Sequence, residues 1–385
     1  MKVSIYLSAK MSTDNNKKRI IYFDICKGLG ILLVLIGHLQ NDTIFSYSPY
    51  ILSLCSWIFS FHMPLFFIIS GMIIYLKKED QKDLKETAGR KFRSIMIPYF
   101  WFSLIYILIV FYLLFVSKEI PLNTLFVQLW YVFGMYGMNV LWFLPALFAS
   151  ELIFLFITQR IKNSKSIIVI ILLAIAAFSA NYVRRFLPND LTIYERLNEL
   201  IITVLRPLIG SAYILTGFCI YKGLDILKEK VRYAQAVELI LMPILLFINI
   251  SLNRINRPVD FRSLVFNNPF LYYFCSLSGS LFIILLSRFL ASLRIGNRIN
   301  EDTAFPFIRF CGVNSLVFMA VHNNSAVLKL SMLAAMYINQ FLTRARGYIC
   351  YAVIIAIHLV YVSVTILLIN RFLPFIAGRP MRKKG

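Results

Sequence analysis

The sequence predicts an all-α fold: a polytopic integral membrane protein of about ten transmembrane helices with both termini in the cytoplasm. Three observations lead there. Of the 385 residues, 59% are hydrophobic and only 15% charged, against about a quarter charged in a soluble domain, and the mean hydropathy is +0.73. The apolar runs are continuous rather than alternating, so they fit helices, which satisfy their own backbone groups in lipid, and not the strands of an outer-membrane barrel. The Lys and Arg residues gather in alternate loops, the charge pattern of a chain that crosses a membrane many times.

A span needs about 20 apolar residues. On that rule ten helices fall near residues 20–39, 51–76, 95–116, 139–158, 166–183, 203–221, 235–252, 270–290, 308–327 and 348–370. Residues 122–136 are apolar but too short to cross, so a re-entrant or interfacial piece is expected, and residues 330–341 have the same character. The polar start followed by an apolar run resembles a secretory signal, but the run is as long as a full span and no small-residue cleavage site follows it. It is expected to stay as an anchor helix. The domain reading is a cytoplasmic tail at 1–19, one transmembrane domain at 20–375 and a basic cytoplasmic tail at 376–385.

The net charge of +22 raises nucleic acid as a partner. The distribution argues against it: with the N-terminus inside, 28 of the 40 Lys and Arg lie on the inner side, 11 on the outer side, and Lys27 lies within the first helix. The split sets topology rather than a nucleic-acid face. Six cysteines, at positions 26, 55, 219, 275, 311 and 350, sit in or beside apolar runs without zinc or disulfide spacing. They read as small apolar residues, and neither metal nor redox chemistry is expected.

An ionisable residue within a span costs about 2.5 kcal/mol or more to insert, which makes it a functional candidate. The first helix has Asp24, Lys27 and His38. His38 lies eleven positions after Lys27, close to three full turns, so both lie on one face about 16 Å apart. Lys27 then sits nearer the cytoplasm and His38 nearer the outer surface. Two alternatives stay open from the helix alone: a functional wall with a cation and a proton acceptor, or Lys27 paired with Asp24 one turn away and His38 resting at the interface.

Residues 19–38, RIIYFDICKGLGILLVLIGH, carry a basic residue, ten residues and then His. They are followed by FHMPLFFIISG at 61–71, Arg90-x-x-Arg93 leading into IPYF, WFLPALF at 142–148 and GVNSLVFMAVH at 312–322. This ordered set resembles the acyltransferase-3 superfamily over most of the chain, with a flavour most like the fucose 4-O-acetylase-like members. No appended esterase-like domain, which some members of that superfamily carry at the C-terminus, is expected.

The resemblance implies a bacterial plasma-membrane O-acetyltransferase that takes acetyl-CoA from the cytoplasm and acylates a hydroxyl of a surface or lipid-linked glycan. It implies His38 as the catalytic residue, and the chemistry agrees: a sugar hydroxyl needs its proton removed during attack, and imidazole titrates near neutrality. His38 is therefore assigned as general base in direct transfer, with an acetyl-His intermediate as the alternative that the sequence does not separate from it. Lys27 is expected to join His38 in the catalytic set and to contact the cofactor, with the pantetheine arm passing it toward His38, and Arg90 and Arg93, in a loop of seven basic residues at 77–93, are expected on the CoA phosphates. His62 is expected to hold the turn opened by Pro64 or to orient His38. Trp142, Asn314 and His322 lie in family motifs near the site, His358 lies outside them, and Glu151 needs an intramembrane partner. The competing class is a polysaccharide exporter or lipid-linked sugar flippase, which predicts symmetric halves and broken helices in matching positions.

Overall fold

The computed structural model describes residues 21–38, 49–161, 164–186, 192–230, 234–293, 305–323, 325–339 and 346–379. The tail expected at 1–19 and the last six residues of the C-terminal one lie outside this set. The described chain is almost wholly helical: α1 (Ile21–His38), α2 (Pro49–Phe59), α3 (His62–Leu76), α4 (Leu84–Lys91), α5 (Ile97–Phe115), α6 (Leu122–Phe133), α7 (Phe143–Arg160), α8 (Ser164–Arg184), α9 (Thr192–Lys230), α10 (Ala234–Ile255), α11 (Pro269–Ser292), α12 (Pro306–Val313), α13 (Ser315–Val321), α14 (Ser325–Asn339) and α15 (Arg346–Phe372). One antiparallel pair, β1 (Val259–Asp260) with β2 (Val265–Phe266), forms a small hairpin between α10 and α11.

Nine stretches of the described residues are long and apolar enough to cross a membrane, so the all-α multi-pass reading holds. Two of them join successive α-helices. Pro64 has no N–H for the carbonyl of Ser60 and would clash with it in a continuous helix, so the chain breaks at Ser60 and Phe61 and restarts as α3. A π-turn at Phe92–Met96 joins α4 to α5. The span expected at 308–327 is the exception: it is two short helices, α12 and α13, hinged at Asn314, whose amide donates back to the Phe310 carbonyl at 2.8 Å. The chain enters α12 through Phe305, in the left-handed region, and Pro306, and both signals are hidden in sequence by the apolar run around them. The short segment at 122–136 forms α6, twelve residues long.

The core is α1, α3, α7, α9 and α11. Nearly all of α3 is buried, whereas α5, α8, α10 and α15 expose Leu108, Leu172, Phe247 and Val360, the faces expected against lipid tails. Two close crossings hold the centre, and each requires glycine. A Cβ on Gly28 would lie 2.0 Å from the Ile308 carbonyl oxygen, and one on Gly312 would lie 1.8 Å from that of Asp24, so α1 and α12 meet backbone to backbone. Gly71 and Gly217 do the same for α3 and α9, against Ile214 and Ile68. Small residues permit such contact where lipid supplies no hydrophobic drive between helices.

Candidate active site

Three of the four histidines of the chain converge. His38 ends α1, His62 opens α3 and His322 closes α13. The His38 ring centroid lies 5.2 Å from that of His322 and 6.4 Å from that of His62, and Phe59, at the end of α2, packs edge-on against His38 at 5.6 Å and lies 5.0 Å from His62. His62 and His322 are buried, whereas His38 is half-buried.

The helix breaks position these rings. The break before Pro64 leaves the Ile58 carbonyl at the end of α2, and His62 Nδ1 donates to it at 3.0 Å. His322 Nδ1 donates to the Met319 carbonyl at 2.7 Å in the last turn of α13. A carbonyl only accepts, so each Nδ1 carries the proton, and in a neutral ring each Nε2 is a proton acceptor. His322 Nε2 is buried and has no hydrogen-bond partner among the described residues. A buried acceptor without a partner costs stability, and here it faces a cluster with His38 on one side and Phe318 on the other. Among the described residues, no group of three or more His, Cys, Asp or Glu is arranged to hold a metal ion.

Toward the other end of α1, Lys27 Nζ lies 3.5 Å from Asp24 Oδ1, with Asp24 buried and Lys27 about a quarter exposed. The ion pair foreseen as one of two alternatives therefore forms, and the 16 Å expected between Lys27 and His38 puts it at the far end of the helix from the histidines.

The basic loop divides into buried and exposed cations. Lys91 Nζ contacts Glu79 at 2.9 Å and Glu151 at 3.0 Å, and the Ser70 hydroxyl also donates to Glu151. Glu151 thus has the partner its burial demanded. Arg90 gives one amine to Glu79 at 3.0 Å while its side chain stays about half exposed, and Arg93, in the π-turn, is exposed. The two arginines are the accessible guanidiniums of the loop, beside the exposed Lys77, Lys78, Lys82 and Lys85, and Lys91 is its buried cation.

Asn314 is buried and accepts from Asn370 at 2.9 Å and from Arg379 at 3.0 Å, which ties the hinge to α15 and the chain beyond it. His358 is buried on α15, with Nδ1 near the Ile354 carbonyl and the Ser331 hydroxyl. Neither joins the histidine cluster.

Arg206 is the residue sequence reasoning missed, since the topology count placed it with the outer-loop cations. It is 1% exposed, inside α9. Its guanidinium donates to the Tyr136 carbonyl at 2.9 Å and, through Nε at 2.7 Å and a second amine, to the Arg262 carbonyl at the hairpin tip. It also lies 4.9 Å over the Trp142 ring and 4.6 Å over the Tyr136 ring. Trp142 stacks on Phe261 of the same hairpin. The signal that could have found it was a cation nearly a full turn inside the apolar run expected at 203–221, next to Pro207.

Comparison with known proteins bears on the chemistry. Nodulation protein NolL of Mesorhizobium japonicum is 37% identical over 110 residues, which cover 26% of this chain and 27% of that protein. The chain therefore aligns with about a quarter of that relative's length. No solved structure matches. The profile described as "Acyltransferase domain" matches residues 20–369, from before α1 almost to the end of α15. With a match of that extent on a multi-pass helical fold, the chain belongs to the acyltransferase-3 family.

Proposed function

We propose that the protein moves an acetyl group from cytoplasmic acetyl-CoA to a hydroxyl of a cell-surface or lipid-linked glycan, in a bacterial plasma membrane with both termini inside. The observation that carries this reading is the meeting of His38, His62 and His322 from three separate segments, with two rings fixed as proton acceptors by their backbone carbonyls.

In the reaction, His38 takes the proton of the acceptor hydroxyl as its oxygen bonds to the thioester carbonyl carbon. The tetrahedral intermediate collapses, the carbon–sulfur bond breaks, and CoA leaves as a thiolate that takes up a proton. The ester is the product. His322 stands beside His38 as a positioning group that can share the transferred proton, and His62 fixes the α2–α3 turn against it. Passage through an acetyl-His38 intermediate uses the same groups, with the acetyl held on the ring between two transfers.

Arg90 and Arg93 serve the 3'-phosphate and pyrophosphate of CoA, since they are the accessible guanidiniums of the inner loop and a planar fork suits phosphate oxygens. The pantetheine arm then runs along α1, past the Lys27–Asp24 pair, toward His38. Purified protein in liposomes with labelled acetyl-CoA and a glycan acceptor tests the proposal. Wild type transfers label, His38→Ala loses transfer while staying folded, and Arg93→Ala transfers less at low acetyl-CoA while staying folded. Unaltered transfer by His38→Ala removes His38 from the mechanism.

A further inference from the structure

A cleft of about 380 Å³ opens on the side of the bundle between α2 and α10. Its lining changes character along one stripe of α10. Leu246, Ile250 and Arg254 are spaced four residues apart and so lie one above another on the helix, with Leu54 and Trp57 of α2 opposite and Arg257 beyond the helix end. Apolar walls thus lead up to two exposed guanidiniums. No ion pair joins Arg254 or Arg257 to a carboxylate among the described residues. Trp57 Nε1, buried beside the cleft, has no hydrogen-bond partner among those residues either.

This is the pattern of an amphiphile site: a hydrocarbon tail along Leu246 and Ile250 and an anion at the arginines. The charge split that sets the termini inside puts Arg254 and Arg257 on the outer side, where topology asks for no positive charge. The elements that line the cleft continue toward the core, and the α2 side reaches the histidines. From Arg257 the chain runs directly into the β1–β2 hairpin, at whose tip the Arg262 carbonyl is held by Arg206. On the α2 side, Phe59, half a turn beyond Trp57, touches both His38 and His62.

We propose that the cleft between α2 and α10 holds the lipid phosphate of a lipid-linked glycan acceptor, with the tail along α10, the phosphate or pyrophosphate on Arg254 and Arg257, and the glycan extended past Arg262 to His38. The proposal rests on the acyltransferase reading above and narrows its acceptor to the lipid-linked class. Charge complementarity selects the occupant: an uncharged tail alone would leave both guanidiniums without an anion.

Full-length protein in phosphatidylethanolamine nanodiscs doped with a C55 polyprenyl phosphate, read by native mass spectrometry, tests it. Wild type retains the polyprenyl phosphate in preference to phosphatidylglycerol and to the C55 alcohol. Arg254→Gln with Arg257→Gln weakens retention about tenfold or more, the loss expected for two charge-assisted contacts, and Ile250→Trp, which fills the cleft without touching charge, weakens it as well. His38→Ala keeps full retention. Equal retention of phosphatidylglycerol shows an ordinary bilayer lipid and overturns the proposal, as does unchanged retention in both the arginine and the Ile250→Trp variants. Absence of acetyl transfer to any glycan by wild type overturns the enzyme reading instead, and lipid retention is measured without turnover, so the two failures are separable.

Discussion

His38 and His322, from opposite ends of the chain, face each other with ring centroids 5.2 Å apart. The contact depends on α1 and α12 meeting at Gly28 and Gly312, because α12 leads through Asn314 into the short helix that ends at His322. The backbone crossing and the pairing of imidazoles are therefore one structural device: whatever separates the helices separates the rings.

Gly312→Ala tests that device. Its Cβ would meet the Asp24 carbonyl at 1.8 Å, so α1 and α12 must part, at a cost of about 1–3 kcal/mol. Thermal unfolding in detergent should show the destabilisation, and acetyl transfer should fall at temperatures where the variant is still folded. An unchanged melting temperature contradicts the crossing.

His38→Ala should lower acetyl transfer by about 10²- to 10⁴-fold, the usual worth of general acid–base help, with little change in stability, since the ring is half-buried at a helix end. His322→Ala should lower both: it removes the donor to the Met319 carbonyl, worth about 0.5–1.5 kcal/mol, and the ring beside His38. Transfer assays in proteoliposomes alongside melting curves separate the two behaviours.

Arg206→Met leaves the Tyr136 and Arg262 carbonyls without their donor, at about 1–3 kcal/mol for each buried acceptor. Arg206→Lys should recover only part of this, because one ammonium lacks the planar fork that reaches two carbonyls. Differential scanning fluorimetry orders the three proteins, and equal stability of the Lys variant and wild type would count against the fork.

Lys91→Met leaves Glu151 without a cation and Glu79 with Arg90 alone, and removing one partner of a buried ion pair costs about 3–5 kcal/mol. Adding Glu79→Gln and Glu151→Gln to Lys91→Met should restore most of the loss, since no uncompensated charge remains. A triple variant as unstable as the single one would show that packing, not charge, sets the cost.

Arg93→Ala should raise the KM for acetyl-CoA about tenfold with a smaller effect on kcat, as expected for loss of one charge-assisted phosphate contact. Steady-state kinetics over a range of acetyl-CoA concentrations decide it. A fall in kcat alone would move Arg93 away from donor binding.

Much of the fold was legible because a membrane span is a local property: about 20 apolar residues in a row declare a helix whatever surrounds them. The turn between α2 and α3 was partly legible, since Pro64 removes a backbone donor and opens a turn of the span placed at 51–76, although α9 and α10 run unbroken through Pro207 and Pro243. The break at Asn314 was not. It depends on bonds to Asn370 and Arg379, more than fifty residues away, so the apolar run at 308–327 gave no local sign of it.

The sequence by itself determined that the chain is a multi-pass helical membrane protein, that its first helix carries Lys27 and His38 on one face, and that its motifs resemble those of membrane acyltransferases, because composition, helical period and motif spacing are written along the chain. Only the tertiary structure decided that His38 meets His62 and His322, that Lys91 rather than a neighbouring arginine neutralises Glu151, and that Arg206 turns inward to hold the hairpin. The reason is physical: a buried polar group must find its partner in space, and along the chain the residues that become neighbours here lie tens to hundreds of positions apart.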